Sequence, residues 1–142
     1  MYLVTPAAIG SVLALTPPVM SLPDLEKRMR DGLPVASLRA VAERIARTPD
    51  EHRDLLLSVF PEAAERHYLE RAGREESERA GRLARIFAMA EYAWDSAADA
   101  REFLAIPHVQ LGGCTPLDAS MTEEGARRVE GLIAKLFFGI SV

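Results

Sequence analysis

The stretch that decides the fold is GRLARIFAMAEYAW, residues 81–94. Its apolar residues recur at intervals of three and four, which is the spacing of one face of an α-helix. They are Leu83, Ile86, Phe87, Ala90 and Trp94. The acidic start upstream extends the predicted helix to residues 75–94. No stretch of the chain alternates at period two, so the predicted class is all-α.

Shorter helices precede this one. One is predicted over residues 24–30, and a second follows Ser37, a residue type that caps helices. Thr48 and Pro49 form a strong start signal for a third helix, because a capping threonine precedes proline at the first helical position. Pro61 starts a further predicted helix that carries Ala63, Ala64, His67 and Tyr68. The spacing of these segments predicts a helix-turn-helix-like bundle, with plain helical packing as the alternative.

The carboxyl-terminal part reads as further short helices. One is predicted over residues 97–105, capped by Asp95 or Ser96. Thr115 before Pro116 repeats the cap-plus-proline signal, and Thr122 caps the last helix, which Gly139 terminates. The predicted apolar stripe of the last helix is Val129, Leu132, Ile133 and Leu136.

Composition excludes several classes of protein. The 142 residues carry a net charge of -4 and one cysteine, Cys114, which excludes an internal disulfide. No apolar run reaches the length of a membrane span, and the apolar residues 7–15 lack the preceding positive charge of a secretory signal. The default expectation is a cytoplasmic protein with no membrane partner.

The search for a catalytic or metal site finds little. His52, His67 and His108 do not stand at metal-ligand spacings with each other or with Cys114. We therefore predict no catalytic residue, metal or cofactor, and expect Cys114 to be a half-buried loop residue. A small hydrolase that uses Cys114 as nucleophile is the disfavoured alternative.

Signals for nucleic-acid binding are mixed. The segment from Pro61 carries three glutamates against Arg66, and carboxylates near phosphates weaken binding. The better candidates for DNA contact are Arg66, Arg71 and Arg74, continued by Arg79, Arg82 and Arg85 along the long helix. A solvated helix face explains these arginines equally well. A symmetric homodimer would double the basic patch.

The last residues point to a partner. Phe137 and Phe138 are adjacent, so on a helix they point about 100° apart and one narrow stripe does not bury both. With Ile140 and Val142 they form an apolar end that folds back on its own core or is covered by another chain. Residues 86–142 hold four basic and eight acidic groups, which favours a positively charged partner for this half.

Two segments carry a resemblance to a known family. They are AREFLAIPHVQLGGCTPLD, residues 100–118, and EGARRVEGLIAKLFFGI, residues 124–140. The order Leu-Gly-Gly-x-Thr-Pro-Leu, then Gly-Ala-Arg-Arg-Val-Glu and a closing Gly-Ile, resembles the toxin-binding domain of the Xre/MbcA/ParS antitoxins. Residues 32–45 and 81–94 match the family's layout as well. The loop motif residues Leu111, Gly112, Gly113, Thr115 and Pro116 are expected to be structural.

The resemblance implies a non-enzymatic antitoxin of a type II toxin–antitoxin pair. Its partner would be a toxin with a RES domain, which is similar to ADP-ribosyltransferases and uses NAD, and the antitoxin would block the toxin's active-site cleft. The expected toxin-binding residues are Arg128, Glu130, Lys135, Phe137, Phe138, Ile140 and Val142. The Val142 carboxylate would pair with a phosphate-binding arginine of the toxin.

The resemblance also divides the chain. Residues 1–31 would be an amino-terminal extension, 32–75 the helix-turn-helix region, and 76–142 the toxin-binding domain. The amino-terminal region would repress the pair's own promoter. This chain departs from the family at Val59, Phe60 and Pro61, where a Gly-Ile-Ser-type turn is usual. A stand-alone helix-turn-helix transcription regulator is the alternative function.

Overall fold

The computed structural model describes residues 4–64, 66–67 and 69–139, except the side chains of Glu62, Ala64 and Phe138. These residues form eight α-helices and no extended strand, which confirms the all-α prediction. The helices are α1 (Pro6–Val12), α2 (Leu22–Arg30), α3 (Val35–Ile45), α4 (Pro49–Val59), α5 (Arg74–Trp94), α6 (Ala97–Ala105), α7 (Pro116–Ala119) and α8 (Glu123–Ile133). A π-helical turn, Ala134–Phe138, continues α8.

Helix α5 is the centre of the fold. It packs against α1, α2, α3, α6 and α8. Of the apolar face predicted from its spacing, Leu83, Ile86, Phe87 and Ala90 are buried, and Trp94 is half-buried. Small residues on α5 allow the neighbouring helices to approach closely. At Gly81 an added Cβ would lie 2.3 Å from Cε of Met29 on α2. The stretch that predicted the class therefore also organises the tertiary structure.

The amino-terminal segment is part of this core. Ile9 and Val12 of α1 and Leu25 of α2 are buried in the same hydrophobic cluster as Leu83 of α5. Helix α2 begins two residues earlier than expected because Ser21 accepts a hydrogen bond from the backbone N–H of Asp24. The division into three regions stays a prediction, and its boundary after residue 75 lies within the first turn of α5.

Most of the expected helix caps are present. Thr48, Ser96, Thr115 and Thr122 each accept a hydrogen bond from a backbone N–H three residues later. Ser37 does not cap α3, so that prediction was wrong. The helix begins at Val35, whose N–H donates to the Glu70 carbonyl across the molecule, and Ser37 is buried in the first turn.

The helix predicted from Pro61 is also wrong. Pro61–Ala64 forms one 3-10 turn, and irregular backbone follows in the described residues up to α5. The guanidinium of Arg39 on α3 donates to the carbonyls of Ala63, at 2.8 Å, and Arg66, at 2.6 Å. A continuing helix would bond the Ala63 carbonyl to the N–H four residues on, so Arg39 stabilises the ended turn instead. Within the described part, α4 is followed by no recognition helix.

Candidate functional site

Helix α8 sits tightly on the core at its amino-terminal end. Thr122 caps it, and Gly125 lies so close to α7 that an added Cβ would be 1.7 Å from the Ala119 carbonyl oxygen. On the inner face of α8, the side chains of Ala126, Val129 and Leu132 are buried. Leu136 was predicted to belong to the buried apolar stripe, but its side chain is 52% exposed. The π-helical turn widens the helix there, which shifts the angular register of the stripe.

An ion-pair cluster joins α8 to α5. Arg85 is only 11% exposed, and it donates to Glu130 Oε1 at 2.8 Å and to Glu123 Oε1 at 2.9 Å. Burial raises the pKa of Glu130, an effect that the favourable charge of Arg85 opposes. Arg82, one turn earlier, donates to the carbonyls of Ser120 and Met121 at the end of α7. These contacts fix the position of α8, and they place Glu130 against α5.

The outer side of α8 lines an open groove of about 1080 Å³, which we call the α8 groove. Its lining residues come from two parts of the chain, which we call its two walls: Arg127, Arg128 and Lys135 on α8 and its continuation, and Gln110 and Leu111 on the turn before α7. The structure thus brings Arg128 and Lys135 together and separates both from Glu130. Its volume lies just above the usual range of small-molecule pockets, which reaches about 1,000 Å³.

The cations of the α8 groove are loosely held. Arg127 lies 3.7 Å from Glu123 and is 77% exposed; Arg128 lies 3.8 Å from Glu124 and is 63% exposed. Ion pairs elsewhere in the described residues are shorter, such as Arg47–Glu51 at 2.6 Å and Arg85–Glu130 at 2.8 Å. Lys135 is exposed, and no ion pair joins it to a described residue.

The wall that contains Gln110 and Leu111 is a turn closed by several hydrogen bonds. The N–H of Gly113 donates to the His108 carbonyl, the N–H of His108 donates to the Cys114 carbonyl, and Nδ1 of His108 accepts from Gln110. Gly112 and Gly113 adopt φ values of 67° and 83°, which favour glycine. Cys114 is exposed, so the expectation of a half-buried thiol was wrong.

The start of the tail folds back on the core. The Phe137 ring lies 4.1 Å from the Trp94 ring, centroid to centroid, and Trp94 in turn lies 4.4 Å from Phe103. Phe137 remains 41% exposed. Of the other predicted tail residues, the Phe138 side chain, Ile140 and Val142 lie outside the described part of the structure.

The three arginines predicted to contact DNA differ in their surroundings. Arg66 pairs with Glu70 and Glu76, each at 3.0 Å, and also donates to the Arg71 carbonyl; its pKa is raised chiefly by the hydrogen bond to Glu70. Arg71 donates to the Gly32 carbonyl at 2.9 Å. Arg74 is 88% exposed and pairs only with Glu78 among the described residues. They form no single free basic surface.

The predicted continuation of that patch along α5 was wrong. Arg79 donates to the Val59 carbonyl at the end of α4 at 2.6 Å, and Arg82 and Arg85 make the contacts described above. Burial lowers the pKa of Arg82. These side chains bind carbonyl and carboxylate oxygens inside the protein, so they are not a solvated face.

Other site types find no support in the described residues. No group of three or more His, Cys, Asp or Glu side chains there is arranged to hold a metal ion. The described residues also contain no helix that is long and apolar enough to cross a membrane.

Comparison with known proteins decides what kind of domain contains the α8 groove. Residues 89–139 match the family model described as the antitoxin Xre/MbcA/ParS C-terminal toxin-binding domain. The carboxyl-terminal part of the chain therefore resembles the toxin-binding domain of these antitoxins. The chain is also similar to "Antitoxin Xre" of Pseudomonas putida strain KT2440, with 29% identity over 117 residues, which cover 82% of this chain and 72% of the relative. The matched residues include both walls of the α8 groove.

Sequence reasoning missed part of this site. It matched Arg127 to the family's final helix but did not place Arg127, Gln110 or the exposed Val109 among the toxin-binding residues, because the two walls of the α8 groove lie on different elements. The adjacent arginines Arg127 and Arg128 were visible in the sequence, but their loose pairing is a property of the folded helix.

Proposed function

We propose that this antitoxin neutralises a RES-domain toxin by occluding its active-site cleft with the end of α8 and the residues that follow. The observation that supports this is an asymmetry of α8. On its inner side, ion pairs from Arg85 to Glu123 and Glu130 hold α8 against α5. On its outer side, Arg128, Lys135 and part of Phe137 are exposed. A rigid helix with an exposed end is suited to enter a cleft, because little conformational entropy is lost on binding.

The chemistry of an NAD-using cleft fits this end of the chain. Such a cleft has an apolar slot for a ring and cationic groups for the pyrophosphate. In this proposal Phe137, Phe138 and Ile140 fill the slot, and Val142 extends toward the cationic groups. Glu130 takes a different role from the other predicted residues: it orients α8 through Arg85 and does not touch the toxin.

Truncation tests the cleft-blocking role of the tail. A chain that ends at Leu136 should remain folded and lose the ability to silence the RES-domain toxin in co-expressing cells. Thermal unfolding checks the fold, since Phe137 also packs on Trp94. Full protection of cells by the truncated chain would contradict the mechanism.

Promoter repression by a homodimer is a further proposal. The exposed Arg74 at the start of α5 is the described feature that favours it, together with the doubling of basic groups in a symmetric dimer. Light scattering measures the dimer, and gel shifts with the pair's own promoter fragment measure DNA binding. The stand-alone regulator is separated from the antitoxin by co-purification, because only the antitoxin should bring a toxin with it.

A further inference from the structure

Besides the end of α8, the matched domain presents an apolar side chain on a rigid support. Val109 is 91% exposed, although hydrogen bonds on either side fix the turn that carries it. A single exposed apolar residue is common on protein surfaces. Val109 and Leu136 do not line the α8 groove themselves, but each is an exposed apolar residue next in sequence to lining residues: Val109 precedes Gln110 and Leu111, and Leu136 follows Lys135.

The electrostatics of the α8 groove point to the chemistry of its occupant. The groove holds Arg127, Arg128 and Lys135 against Glu123 and Glu124. Both arginines are held by their glutamates only at long distance, and Glu123 is already bound by Arg85. A carboxylate from outside would therefore gain a close ion pair while breaking only a weak one. The surface is cationic even though residues 86–142 carry net negative charge.

We propose that the α8 groove is a second toxin-binding surface, which takes a segment of the toxin that carries an apolar side chain flanked by carboxylates. Val109 would contact the apolar side chain, and Arg127 would pair with a carboxylate. The inference rests on the proposed function, because it takes the RES-domain toxin as the occupant. Contacts in the groove would fix the orientation of the antitoxin while the tail enters the cleft.

One variant of a groove residue, Arg127→Gln, one variant of the residue next to the groove in sequence, Val109→Ser, and two matched controls test this proposal. Val109→Ser removes an exposed apolar side chain, and Met20→Ser does the same at a residue that is 84% exposed outside the matched domain. Arg127→Gln removes a helical arginine paired with a glutamate one turn away. Arg53→Gln does so on α4, where the arginine is 68% exposed and paired with Asp50. Because all four side chains are exposed, thermal unfolding should change little.

The experiment measures the affinity of each full-length variant for the purified RES-domain toxin of the neighbouring gene, at low and high salt. We expect Val109→Ser to raise Kd about tenfold and Arg127→Gln to raise it several-fold, while the two controls match the unchanged chain. The Arg127→Gln effect should shrink as salt rises. Val109→Ser and Arg127→Gln variants that bind like the controls, while truncation after Leu136 abolishes neutralisation, would overturn the groove and leave the proposed function intact. Failure of the unchanged chain to bind the toxin would overturn both.

Discussion

Two arginines of α5 bind groups inside the fold, whereas those of α8 are exposed and only loosely paired. On α5, Arg82 and Arg85 reach carbonyl and carboxylate oxygens at 2.7–2.9 Å and are partly or largely buried. On α8, Arg127 and Arg128 lie 3.7 and 3.8 Å from their partners and are exposed. A basic side chain is available to a partner only when the fold has not already engaged it. We therefore expect α8 to contact the toxin and α5 to hold α8 in place.

The largest expected effect is on stability, from Arg85→Ala. This change leaves the Glu130 carboxylate in a mostly buried site without its cation, which should cost about 3 kcal/mol of unfolding free energy. Urea unfolding at neutral pH measures it. Arg127→Ala is the matched control, because it removes another partner of Glu123 and should cost less than about 0.5 kcal/mol. Equal losses of unfolding free energy in the two variants would contradict the claim that the α5 arginine stabilises the fold and the α8 arginine does not.

Arg82→Met should have the next largest effect. Methionine keeps most of the apolar stem but removes the donors to the Ser120 and Met121 carbonyls, and unsatisfied acceptors cost about 1–3 kcal/mol. Urea unfolding measures this loss of unfolding free energy. Arg128→Met, on the exposed side of α8, serves as the control and should be nearly neutral. A neutral Arg82→Met would show that solvent satisfies these carbonyls.

A smaller effect should appear in the pH dependence of stability. Burial raises the pKa of Glu130 above its ordinary value of 4.5, so the native state binds that proton more tightly than the unfolded state. The stabilising contribution of Glu130 is therefore present below pH 4.5 and is lost as pH rises through the native-state pKa. Relative to Glu130→Gln, the unchanged chain should lose unfolding free energy as pH rises from 4 to 7. An increase over that range would mean that Arg85 outweighs burial.

The smallest expected effect concerns DNA. Arg74→Ala should weaken binding to the promoter fragment by only a few-fold, because one phosphate contact carries a small part of the electrostatic free energy. Gel shifts at two salt concentrations measure the change. Arg53→Ala is the control, on a different helix. A loss of all binding from Arg74→Ala alone would show that this residue has a larger role than the surrounding structure indicates.

Local signals in the sequence predicted much of the fold, and long-range contacts explain the failures. Thr48, Thr115 and Thr122 cap helices through bonds to residues three positions away, so their role was readable from sequence. The helix expected after Pro61 does not form, because the guanidinium of Arg39 donates to the carbonyl of Ala63, which lies 24 residues later in the sequence. No local pattern reports such a contact.

The candidate site was predictable in part for the same reason. Motif order identified α8 and residues Arg128 and Lys135, which share one wall of the α8 groove. The role of Glu130 was not readable, because its partner Arg85 lies on another helix. Leu136 was predicted to be buried, but the π-helical turn exposes it.

The most direct test of the central claim is inhibition of the RES-domain toxin at several NAD concentrations. If the antitoxin occupies the active-site cleft, inhibition should be competitive with NAD, and the chain that ends at Leu136 should bind the toxin without blocking NAD consumption. Inhibition that is independent of NAD concentration, or full inhibition by the truncated chain, would contradict the account.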